Sequence, residues 1–121
     1  MIKKSFKVPL YCFDCTFIEL ERKEDADALS RELRRLRVTK DIFEELVESC
    51  REGDVDGGWT ITNFGNKRIC VVLLPMRSDE RRISVLGHEK RHVEDDILSH
   101  CGVDDKEASA YLAGFLSLHL R

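Results

Sequence analysis

His88 and His92 stand four residues apart in the segment His88-Glu89-Lys90-Arg91-His92. On a helix that spacing puts two imidazoles on one face, about 6 Å apart along the axis. They can then converge on one zinc ion. Glu89 points to the same side, displaced by one residue, and can take a proton from a metal-bound water. These residue types and this spacing suit metal-assisted hydrolysis, with His88 and His92 as metal ligands and Glu89 as general base.

The rest of the helix supports that assignment. With His88 set at zero and about 100° per residue, His92 falls near 40°, Glu89 near 100°, Asp95 near 340°, Asp96 near 80° and Ser99 near 20°. Leu86, Val93 and Ile97 share an apolar arc suited to a core. Both histidines lie in a continuous polar arc. Gly87, Arg91, Glu94 and Leu98 fill an arc that reads as mostly compatible with solvent. Lys90 falls at the edge of the core arc and must snorkel.

Catalytic zinc usually has three protein ligands and an open position. Asp95, Asp96, His100, Cys101 and Glu107 lie downstream. A turn at Gly102 lets the last helix run beside the first, and Glu107 is the preferred third ligand. Its competing use is in Asp104-Asp105-Lys106-Glu107, which has the form of a capping box. Asp95 and Asp96 are better placed to orient an imidazole N–H. Tyr111, one turn beyond Glu107, could steady a tetrahedral intermediate or belong to a buried stripe with Ala108, Leu112 and Phe115.

The elements that must position these residues follow from pattern. Phe6 to Leu20 is rich in β-branched and aromatic residues and is interrupted by Pro9, so two short strands or one bent edge strand are expected. Glu24 to Arg37 reads as a helix, and a second runs from about Thr39, with Gly53 just past its end. Trp59 to Thr62 and Arg68 to Leu74 read as strands joined through Phe64-Gly65-Asn66-Lys67, where Asn and Gly supply permissive backbone angles. Ser78 or Asp79 starts the helix that carries the histidines to about His100. Asp104 caps a last helix reaching nearly to Arg121. The expectation is one α+β domain over 1–121, with a small, mostly antiparallel sheet, helices packed on one face and a terminal helical hairpin.

Composition narrows the function. Lys plus Arg number 20 and Asp plus Glu 23, a net charge of −3. That balance argues against nucleic acid as the main partner, because phosphate neutralisation needs a cationic surplus. No run approaches the roughly 18 apolar residues of a membrane span. With no targeting segment in view, the cytoplasm is the expected compartment. Five cysteines, Cys12, Cys15, Cys50, Cys70 and Cys101, read as thiols. The lone Cys12-x-x-Cys15 pair lacks the second pair of a zinc knuckle.

From Trp59 onward, the hairpin, His88-Glu89-Lys90-Arg91-His92 and Glu107-Ala108-Ser109-Ala110-Tyr111 together resemble the zincin metallopeptidases of gluzincin type, above all the minimal versions encoded by phages and mobile elements. The resemblance implies one zinc ion held by His88, His92 and Glu107, Glu89 as base, and a peptide or protein substrate. It also implies that the strand before the motif helix, Ile69 to Leu74, binds extended peptide by β-augmentation. Two functions are therefore expected. The first is a zinc-dependent hydrolase, most simply a peptidase. The second is a non-catalytic metal-binding protein of the same fold, serving regulation or assembly of a phage or mobile element. Glu89 favours the first, because a structural site has no use for a base. The absence of a second subdomain to wall a cleft favours the second.

Overall fold

The computed structural model describes residues 1–121. The chain opens with a hairpin. Strand β1 (Ile2–Val8) pairs antiparallel with β2 (Phe13–Glu19), Phe6 opposite Cys15. Pro9 ends β1, and Leu10 and Cys12 take left-handed backbone angles in the turn. A 3-10 turn (Lys23–Asp25) leads into α1 (Ala26–Arg35) and then α2 (Lys40–Glu52). Gly53 stops α2 at φ +82°, where a side chain would be strained. Strands β3 (Gly58–Asn63) and β4 (Arg68–Leu73) form the second hairpin. The left-handed residue of that connection is Lys67, not the Gly or Asn that the sequence suggests.

Helix α3 (Asp79–His100) starts at Ser78, whose hydroxyl accepts the Arg81 N–H at 3.2 Å. Helix α4 (Lys106–His119) is capped by Asp105, not Asp104: the Asp105 carboxylate accepts the Glu107 N–H at 2.7 Å. The chain is α+β, with a four-stranded sheet ordered β1-β2-β4-β3 and a C-terminal helical hairpin. Two of its strand pairings are antiparallel, and β2–β4 is parallel.

The parallel pairing changes the layering. Along the two central strands, alternate residues enter two different cores. Phe17, Ile69, Val71 and Leu73 pack with Leu86, Val93, Ile97, Leu112 and Leu116 of α3 and α4. Ile18, Cys70, Val72 and Leu74 pack with Leu29, Leu33, Leu46 and Val47 of α1 and α2. Helices thus cover both faces, where the sequence reading has them on one. The reason lies in the connection. β4 runs parallel to β2, so the chain between them must cross over the sheet, and α1 and α2 lie in that crossover and cover its second face.

On the other face α3 and α4 divide the sheet. Thr60 and Thr62 of β3 bond to α3. Phe6 of β1 packs against Phe115 and His119 of α4. The motif helix therefore lies over the β3 edge, and α4 lies over the β1 edge. No helix is long and apolar enough to cross a membrane.

Candidate metal centre

The outer flank of α3 carries the histidines. His88 and His92 are exposed, with their rings edge to face and their Nε2 atoms 3.0 Å apart. Glu89 is 4% exposed, turned under them towards β3. The Thr60 hydroxyl donates to its Oε2 at 3.1 Å. One ligand atom from each of His88, Glu89 and His92 lies within 4.8 Å of the others. Gly58 is what lets the strand and helix come this close. A Cβ there would sit 2.9 Å from the Glu89 Cγ and 3.0 Å from the Val85 Cγ1.

Two nitrogen ligands at about 2.0–2.1 Å from a tetrahedral zinc lie roughly 3.3 Å apart. The imidazole pair is within a few tenths of an ångström of that spacing, so it fits a zinc ion. The same separation suits an N–H···N hydrogen bond between the rings, so the fit rests on the donor set of two imidazoles above a buried carboxylate.

Glu107 does not join this group. Helix α4 docks on the other flank of α3, where the Ser109 hydroxyl donates to the buried Glu94 carboxylate. Glu94 is six residues from His88, about 240° round the helix. The docking flank is therefore the arc of Glu94 and Leu98, which the sequence reading left to solvent. Glu107 and Tyr111 are each two residues from Ser109, about 200° round α4, so both face away from α3. Glu107 is exposed and Tyr111 is 50% exposed. This docking does not bring Glu107, expected as third ligand, to the histidines, and it leaves Tyr111, expected as a catalytic group or in a buried stripe, half exposed.

The remaining expectations divide. Asp95 forms an ion pair with Arg91 at 3.2 Å, and Asp96 accepts from the Thr62 hydroxyl at 2.6 Å. Neither bonds an imidazole, so they do not orient the histidines. Asp96 instead ties α3 to β3 one turn beyond the motif. His100 stacks on Phe64 and meets Phe13 edge-on, and Cys101 is exposed. Lys90, at the edge of the core arc, is partly buried. Burial, then the Arg82 guanidinium, lower its pKa. Cys12 is exposed while Cys15 lies in the core, its thiol pushed by burial up to about 12.

Thr60 and Gly58 were not singled out from sequence. The signal was present in the strand alternation: Thr60 and Thr62 share one face of β3, and Trp59 and Ile61 the other. Compared with known protein families, characterised proteins and solved structures, the chain matches none.

Proposed function

We propose that this chain is a metal-dependent hydrolase acting on extended peptide, with His88 and His92 as its protein metal ligands and Glu89 as its base. The observation that carries the reading is the buried Glu89 carboxylate, aimed by Thr60 and lying within 4.8 Å of both ligand nitrogens. Zinc, when bound, lowers the pKa of its water and polarises a carbonyl. Glu89 accepts the proton and hands it on to the leaving amine. Thr60 holds Oε2 and leaves the other carboxylate oxygen to face the reacting water. His88 and His92 would hold the ion, and Glu89, the third member of the group, would stay free to act as the base.

The substrate strand is better assigned to β3 than to Ile69–Leu74. β4 is paired on both sides and has no free edge. β3 is an edge strand, and its Thr60 bonds the proposed base. An extended peptide added to that edge passes beside the histidines.

One observation favours the second reading, a non-catalytic metal site. With only two histidines present, Glu89 can serve as the third ligand and leave no base. Glu89→Gln separates the two. For the hydrolase, the variant keeps zinc and loses about a hundredfold or more in cleavage of a mixed unstructured peptide library. For the binding protein, zinc affinity itself falls by tenfold or more (about 10–100-fold for a perturbed site) and no cleavage is seen with the wild type. His88→Ala and His92→Ala each abolish zinc uptake in either case, measured as metal per chain after dialysis. Full zinc occupancy in both alanine variants overturns the site.

A further inference from the structure

A second site lies on the α1–α2 side of the sheet, away from the histidines. A pocket of about 300 Å³ opens between the α1–α2 turn and the β3–β4 hairpin. Val38 and Ile42 wall it on one side, Ile61 and Cys70 on the sheet side, and Phe64 on the hairpin side. At roughly 30 Å³ for each water-sized group, it has room for about ten such groups. That is the lower end of ligand-binding cavities, which are mainly apolar with a few placed polar groups.

Its polar lining residues are Thr39, Thr62, Asn63 and two arginines, and only the arginines carry charge. Arg37 and Arg68 line the pocket, and neither forms an ion pair or a side-chain hydrogen bond. Their neighbours on α1 are engaged: Arg34 lies over the Phe43 ring and Arg35 pairs with Glu32. Arg37 also stands where another residue suits the backbone better. Its N–H bonds the Arg34 carbonyl and the Val38 N–H bonds the Leu33 carbonyl, the paired pattern that closes a helix. The residue at that position is left-handed, here φ +56°, and is usually glycine. An arginine in that place puts a long cation at the pocket mouth at a backbone cost that glycine avoids.

We propose that this pocket binds a small amphipathic carboxylate, its apolar body against Val38, Ile42 and Ile61 and its carboxylate between Arg37 and Arg68. The two exposed arginines of the lining suit a carboxylate because a guanidinium presents a planar fork of N–H donors. The apolar walls exclude a fully hydrated small anion as the preferred ligand. The site is independent of the metal centre and stands whether or not zinc binds.

Octanoate is the probe, titrated into the full-length protein and followed through the methyl resonances of Val38, Ile42 and Ile61. Octylamine and acetate are the controls for charge and for the apolar body. Octanoate should shift those methyls and bind at least about tenfold more tightly than either control. The double variant Arg37→Gly, Arg68→Gln should weaken octanoate by at least about tenfold. Glycine suits the left-handed turn, so far-ultraviolet dichroism and thermal unfolding should show a fold as stable as the wild type or more so. No methyl shift with millimolar octanoate overturns the proposal. So does equal binding of octylamine, or an unchanged octanoate affinity in a folded double variant.

Discussion

Glu89 is positioned by two small features of β3, the hydroxyl of Thr60 and the missing side chain of Gly58. The second is open to a stability test. In Gly58→Ala the new Cβ meets the Glu89 Cγ at 2.9 Å, the Val85 Cγ1 at 3.0 Å and the Leu73 Cδ2 at 3.2 Å. Val85 is β-branched and has little freedom to rotate away. The variant should lose about 1–3 kcal/mol in urea unfolding, the usual cost of overpacking. A loss within about 0.5 kcal/mol would mean that helix and strand are not so tightly apposed. The clustering of His88, Glu89 and His92 was readable at this scale, because the three lie within five residues of one helix and their geometry is local. Thr60 lies 29 residues from Glu89 in the chain, and nothing local pairs them.

Among the elements, most of the helices and strands were legible from periodicity and punctuation. Gly53 ends α2, Ser78 starts α3, and the second hairpin falls where Phe64 to Lys67 predict it. What failed was the side of α3 on which α4 docks. Leu98 and Glu94 sit on an arc that also holds Gly87 and Arg91, and the mixed chemistry reads as solvent-facing. The burial of Glu94 is made possible by Ser109, a tertiary partner that helix periodicity does not reveal. The α4 contribution to the core can be measured apart from the metal site. Leu112 and Leu116 are fully buried beneath α4. Leu116→Ala should cost about 2–5 kcal/mol, the range for a buried leucine truncated to alanine. Zinc uptake per folded chain should be unchanged, because α4 lies on the flank of α3 away from the histidines. A coupled loss of zinc in the folded variant would place α4 in the site after all.

For the whole molecule, the two-sided layering was foreshadowed in the sequence. Ile69-Cys70-Val71-Val72-Leu73-Leu74 is apolar at every position, the mark of a strand covered on both faces. Surface carboxylates then tie the outer layers to the sheet. Glu32 of α1 pairs with Lys3 of β1 at 3.0 Å and with Arg35 at 3.1 Å. Asp56, before β3, accepts the Arg77 N–H at 2.9 Å. Burial alone would raise the Glu32 pKa, but Lys3 and Arg35 outweigh it and hold the carboxyl below its ordinary value. The Arg77 N–H, and then the guanidinium, do the same for Asp56. A carboxyl depressed in the folded state stabilises above its unfolded pKa, near 4. That stabilisation is lost as pH falls through the lower folded value. Thermal unfolding should therefore show a falling midpoint below about pH 4 as these groups bind protons. Glu32→Gln tests the assignment, because glutamine cannot titrate. The variant should be less stable than the wild type at pH 7, and the difference should shrink as the wild-type Glu32 is protonated. A gap that stays constant down to pH 3 would show that Glu32 contributes through packing alone, and that the acid sensitivity of the fold arises elsewhere.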